Sequence, residues 1–155
     1  MNIEQIIARI KNGPNDITPY PAAIQQLFDT FEAKTRLVLP RDFKCFYSFS
    51  NGFQSDEDLF RIIPLEEIMD DWSCTTKTNN QCYFAEYLIY SDLWGVEVGL
   101  DESSPYSIFY PDSEERKLFM THSLAEFLER FLLAGIYGTG GLYDWSNDSL
   151  PLLKS

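Results

Sequence analysis

The sequence predicts one α+β domain built on a mainly antiparallel sheet. Three observations lead there. The chain has 155 residues, the length of one domain. Its apolar residues recur at helical spacing up to about residue 50, then change to the alternating and short continuous runs of strands, and return to helical spacing after residue 123. Finally, the apolar runs after residue 82 lie too close together to be joined by helical crossovers, so they must pair as hairpins. Twelve Phe, nine Tyr and three Trp supply enough ring area for a core that needs neither disulfides nor metal.

Taken in order, Ile3, Ile6, Ile7 and Ile10 predict a short amphipathic helix from Asn2 to Lys11, stopped by Asn12-Gly13-Pro14. Ile24, Leu27, Phe28 and Phe31 predict a second, from Pro21 to Lys34, with proline in its first turn. Leu39-Pro40 opens a third, with Phe43, Phe46 and Tyr47 on one stripe and Asn51-Gly52 as its terminator. Its Phe stripe is expected to pack against the second helix and the sheet. Residues 59–63 read as a strand stopped by Pro64, and Leu65, Ile68 and Met69 as a short helix. Residues 73–80 have no period and read as a flexible loop. Strands are expected from Cys82 to Tyr90, around Val96 and Val98, from Tyr106 to Tyr110, and from Leu118 to Met120. Ser123-Leu124-Ala125-Glu126 has capping-box form and starts the strongest amphipathic stripe, Leu124, Phe127, Leu128, Phe131 and Leu132, which Gly135 ends. Domain limits of 1–136 follow, with a Gly-rich tail at 137–155 that exposes Tyr143 and Trp145.

The formal net charge is −12, and it is unevenly spread. The first 53 residues hold six cationic and five anionic side chains, whereas Glu86 to Glu115 holds eight acids and no Lys or Arg. Such a field repels phosphate backbones and anionic membranes and attracts a basic partner. Plain solubility explains it equally well. Three cysteines without C-x-x-C spacing argue for free thiols in a reducing cytoplasm. The opening residues do not read as a secretory signal, and no apolar run reaches the length of a membrane span.

Motifs for catalysis are thin. His122, the lone histidine, precedes a helix cap and reads as a structural or surface residue. Cys45 lies in an apolar helix and reads as an inert thiol. Neither the cysteines nor Asp56-Glu57-Asp58 have metal-ligand spacing, and Gly138-Thr139-Gly140-Gly141 lacks the Lys-Ser/Thr of a phosphate cradle. Catalysis and cofactors are therefore not expected. A hydrolase using paired carboxylates or Cys45 is the competing class.

The order of parts resembles the SUKH superfamily. Leu39-Pro40-x-x-Phe43-x-x-Phe46-Tyr47 followed by Asn51-Gly52 is similar to that family's Leu-Pro, aromatic helix and Asn-Gly. Leu65-Glu66-Glu67-Ile68, Phe84-Ala85 and Ser123-Leu124-Ala125-Glu126-Phe127-Leu128 resemble its later segments. The likeness covers residues 20–134. Leu124 stands where the family usually has Phe, and the segments Trp94–Val98 and Ser107–Tyr110 depart from its usual strands, which leaves the subfamily open. The resemblance implies a curved sheet backed by helices on one face. It also implies a protein-binding function: either an immunity protein that binds and neutralises a toxin, or a regulatory scaffold in cell-wall or envelope synthesis. It carries no catalytic set.

The expected partner is another, basic protein, with a toxin domain one form of it, and the chain itself a monomer or weak dimer. Aromatics favour interface anchoring, and carboxylates around them select basic partners. Glu86, Trp94, Glu97, Asp101 and Glu102 are accordingly expected to centre the partner site, with Trp72 on an adjoining loop. Trp94 reads as exposed because it adjoins Gly95 and a turn. Glu86 reads as facing outward from the open side of the sheet.

Overall fold

The computed structural model describes residues 1–13, 16–56, 59–72, 80–111 and 117–148, with the backbone alone at 71, 72 and 146–148. Among these, six helices and seven strands form one α+β domain: α1 (Ile3–Asn12), β1 (Ile17–Pro19), α2 (Gln25–Thr35), α3 (Arg41–Phe49), β2 (Phe53–Ser55), β3 (Phe60–Ile62), α4 (Leu65–Trp72), β4 (Gln81–Tyr87), β5 (Asp92–Glu97), β6 (Ser107–Pro111), β7 (Lys117–Thr121), α5 (Leu124–Ala134) and α6 (Leu142–Asp148). The sheet is an open meander. Spatial order follows chain order from β1 to β7, and every neighbouring pair is antiparallel.

Local chemistry sets the helix ends. Asn2 and Gln5 make a reciprocal capping box, each side chain accepting the other's backbone N–H at 2.9 and 2.8 Å. Helix α2 starts at Gln25 and not at Pro21, because residues 21–23 stay extended alongside the end of α3. There Ala23 N–H donates to the Tyr47 carbonyl at 2.9 Å, and Asn51 N–H to the Pro21 carbonyl at 3.0 Å. The cap of α5 departs from the expected box. Ser123 Oγ accepts from Glu126 N–H at 3.1 Å, but the Glu126 carboxylate does not return to the cap amide. Thr121 Oγ1 stands between them, accepting from Ser123 N–H at 3.0 Å and donating to Glu126 at 2.5 Å.

The Asn51-Gly52 pair does more than end α3. Asn51 Oδ1 accepts from Leu65 N–H at 2.9 Å and its Nδ2 donates to Glu66 at 2.7 Å, so it caps α4 from fourteen residues upstream. Gly52 has φ +90°, and a Cβ there would collide with the Ile62 carbonyl oxygen. Only glycine satisfies both conditions.

The core is a stack of rings between helices and sheet. Phe43 meets Phe84 edge-on at 5.1 Å and Tyr106 at 5.5 Å. Phe46 meets Phe53 at 6.0 Å, and Phe131 of α5 stacks on Phe60 at 4.2 Å. Tyr47, fully buried, donates to the Ile63 carbonyl at 2.6 Å. The Phe stripe of α3 does face the sheet, but α3 packs against α1 and α5, while α2 packs against α4. Residues 137–148 are not a tail. Gly138, Gly140 and Gly141 turn the chain into α6, and Trp145 is buried, its ring 6.4 Å from Phe127 and capped by the Arg130 guanidinium at 4.2 Å. Residues 73–79, read as a flexible loop, lie outside the described residues.

Phe46→Ala should lower stability by about 3–5 kcal/mol, because the ring is fully buried among Tyr47, Phe49 and Phe53. Urea unfolding measures it; an unchanged midpoint would show that α3 does not pack as described.

Candidate functional site

Of the six residues expected to form a partner site, Trp94 and Glu86 are buried, whereas Glu97, Asp101 and Glu102 reach solvent. Trp94 is 0% exposed. It points to the helix side of the sheet, with Phe60 at 5.7 Å, Tyr143 at 6.0 Å and Phe127 at 6.3 Å. The adjoining Gly95 does not mark a turn. The Phe109 ring of the next strand occupies the space a Cβ would need, so the glycine marks a close approach inside the sheet.

Glu86 is also buried, at 3% exposure. It does lie on the face opposite Phe60 and Ile62, but Arg61 covers it. Trp72 is the last residue of α4 and not part of a loop, and its side chain lies outside the described residues. The remaining three do reach solvent. Glu97 accepts from Lys117 Nζ at 2.9 Å. Asp101 is exposed and caps its own turn, accepting from Ser103 N–H at 2.9 Å. Glu102 accepts from Lys44 Nζ at 3.1 Å, with Arg41 at 3.6 Å. The Lys44 bond, ahead of the field of Lys44 and Arg41, pulls the Glu102 pKa below its ordinary value.

The cluster that sequence reading missed is centred on Arg61. Its Nε donates to Glu86 Oε2 at 2.5 Å, its Nη1 to Glu67 Oε1 at 3.2 Å, and its Nη2 closely to Glu67 Oε2. Hydrogen bonds to Glu67, opposed by burial and reinforced by Glu86, raise the Arg61 pKa further. Tyr90 OH donates to Glu67, the guanidinium lies 5.7 Å from the Tyr90 ring, and Tyr90 N–H donates to Glu86 Oε1 at 2.9 Å. One signal could have found this cluster. Arg61 and Glu86 are lone charges within apolar strand segments, each on the face opposite its neighbours, and they are cross-strand partners.

This cluster braces an unusual turn. Strand β4 stops at Tyr87, short of the expected Tyr90, because Leu88, Ile89 and Tyr90 have φ of 54°, 52° and 62°. Neighbouring Leu59 has φ 54° and accepts a hydrogen bond from Leu88 N–H at 3.1 Å. Left-handed backbone costs non-glycine residues about 1–2 kcal/mol each, most for bulky ones such as Leu and Ile. All four side chains are nevertheless exposed, Ile89 to 87%. The turn therefore holds apolar groups in water at a conformational cost that the Arg61 cluster offsets.

Two concave surfaces lie elsewhere on the domain. A cleft of about 340 Å³ is lined by Arg41, Asp42, Glu102, Ser104, Tyr106 and His122, among others. His122 Nδ1 lies 2.9 Å from the Tyr106 carbonyl, which fixes it as the donor nitrogen, and among the described residues the one serine hydroxyl beside it, Ser107 Oγ at 3.4 Å, meets that same nitrogen. A groove of about 520 Å³ runs beside Pro21, Ile24, Leu27 and Glu66. Burial, then the fields of Glu4 and Asp42, push the Cys45 thiol pKa up, and burial pushes Cys82 up to about 12. Neither is an activated nucleophile. Among the described residues no three His, Cys, Asp or Glu side chains converge as metal ligands, and no helix is long and apolar enough to cross a membrane.

No protein-family model matches this chain, and no curated protein matches it. The likeness to SUKH domains rests on the motifs quoted above.

Arg61→Leu should destabilise the protein by about 3–5 kcal/mol, because it leaves Glu86 charged, buried and unpaired. Arg61→Leu/Glu86→Leu should recover much of that loss. A double-variant loss equal to the sum of the Arg61→Leu and Glu86→Leu losses, measured by urea unfolding, would show that the two residues are not energetically coupled.

Proposed function

We propose that this chain is a non-catalytic, cytoplasmic protein-binding domain of immunity type, which captures and neutralises a basic protein such as a toxin domain. The observation that carries this reading is where the charge goes. Arg41, Lys44, Arg61, Lys117 and Arg130 are each held by a carboxylate of the chain itself, within 4 Å. Acids meanwhile remain exposed at both ends of the central hairpin. At one end lie exposed Asp101 and Glu102 and half-exposed Glu97, of which Glu97 and Glu102 are the carboxylates that hold Lys117 and Lys44; at the other lie the exposed acids of α4, Glu66 and Asp70. With a net charge of −12 and these five cations held locally, the chain presents a negative field to an approaching molecule, and such a field steers basic partners. Burial and the fields of Glu4 and Asp42, which raise the Cys45 pKa, weigh against the hydrolase reading, since a catalytic thiol needs a lowered pKa.

The test is binding kinetics between the purified chain and the product of the gene adjoining its own, across 50 to 300 mM salt. The association rate should fall by about tenfold or more over that range, because screening lengths of ~8–10 Å at physiological salt cut steering. Glu97→Lys/Asp101→Lys should slow association several-fold and leave dissociation nearly unchanged. Association insensitive to both salt and charge reversal would overturn the reading.

A further inference from the structure

Four of the large apolar side chains that the described residues expose sit together at one end of the sheet: Leu59, Leu88, Ile89 and Tyr90. Three features separate this patch from an ordinary loop. First, the segment is ordered by its own bonds, Leu88 N–H to the Leu59 carbonyl, Ser91 N–H to the Leu88 carbonyl at 3.1 Å, and Tyr90 N–H to Glu86. Second, it is held in a backbone conformation that glycine or asparagine would adopt with far less strain, yet the chain places Leu, Ile and Tyr there. Third, its base is negative. One guanidinium, Arg61, is shared by two carboxylates, Glu67 and Glu86, and Asp70 lies exposed on the same face of α4 as Glu67, one turn on.

A knob that is apolar at the tip, acidic at the base and already ordered fits a complementary surface of definite chemistry. Its partner would offer an apolar cleft for Ile89 and Leu88, with Lys or Arg at the rim facing the partly exposed Glu67, since Glu86 is buried beneath Arg61. Because the turn is pre-formed, docking does not cost the ordering of a flexible loop. We propose that the left-handed turn Leu88–Ile89–Tyr90, together with Leu59, is the anchor by which this chain docks into an apolar, basic-rimmed cleft of a basic protein. The inference rests on the protein-binding reading above and specifies where and by what chemistry it acts.

The strain supplies a signature that a structural role would not produce. Ile89→Gly relieves a positive φ and removes a side chain that is 87% exposed, so the melting temperature should hold or rise. The same change removes the anchor, so affinity should fall.

The experiment places a photo-reactive benzoylphenylalanine at position 89 of the full chain in its native cells, and at Leu100, which is 89% exposed beyond the far end of β5, as control. The cross-linked protein is identified by mass spectrometry, purified and used as the binding probe. A basic protein captured from position 89 and not from 100 supports the proposal if its Kd rises about tenfold or more with Ile89→Gly, without a lower melting temperature, and is unmoved by Leu100→Ser. Capture of a second copy of this chain, or of an acidic protein, overturns it. A basic protein captured from position 100, or a Kd unchanged by Ile89→Gly, also overturns the anchor and leaves the protein-binding reading standing. Capture of nothing at either position overturns both.

Discussion

Arg61 shares one cation between two carboxylates that come from different elements, Glu67 on α4 and Glu86 on β4, and the turn that closes the central hairpin is built on that arrangement. A buried ion pair is a weak source of net stability, because desolvation takes back most of the attraction. Its strength is geometric. A planar guanidinium that meets two carboxylates at fixed angles leaves little freedom to what carries them. Glu86 then uses its second oxygen on the Tyr90 amide, and Glu67 accepts the Tyr90 hydroxyl, so the backbone between residues 86 and 90 is tied at both ends. The left-handed turn follows from these ties and not from any preference of Leu, Ile or Tyr.

The rest of the domain provides the platform. Aromatic packing of α3 and α5 on the sheet holds β3 and β4 in register, and that register places Arg61 opposite Glu86. Asn51 serves the same end from a distance. By accepting the Leu65 N–H, Asn51 fixes the start of α4, and Glu67 lies only two residues beyond Leu65. The Asn-Gly pair, which resembles a family motif when read as sequence, thus has a physical role here. It couples the end of one helix to the start of another across an intervening strand pair.

Helices and long strands were legible because each carries enough apolar positions to show its period, as Ile3, Ile6, Ile7 and Ile10 do for α1. The short strands β1 and β2 were not: each has three residues, a single apolar one with polar or proline neighbours, whereas β3, equally short, lies in the apolar run Leu59–Ile63. Two errors at the candidate site have one origin. Neighbours in sequence mislead at Trp94 and Glu86: Phe109, the cross-strand partner of Gly95, makes that glycine a close approach and not a turn, and Arg61, the cross-strand partner of Glu86, covers it. The same holds for Tyr143 and Trp145. Read alone they look like a tail, but Tyr143 donates to Asp92 at 2.5 Å and Trp145 closes over α5. The Arg61 cluster was legible in principle as two charges within apolar strands, and became visible once the pairing was known.

The ion cluster holds the turn left-handed, and that is directly measurable. Positive φ gives strong intraresidue amide–Hα NOEs, so NMR of the labelled protein reads it directly at Leu88, Ile89 and Tyr90. The wild-type protein should show them at all three positions, and the Arg61→Leu/Glu86→Leu variant, with its fold retained, should lose them as the turn relaxes to negative φ. Negative φ in the wild-type protein, or positive φ that persists in the variant, would contradict the account.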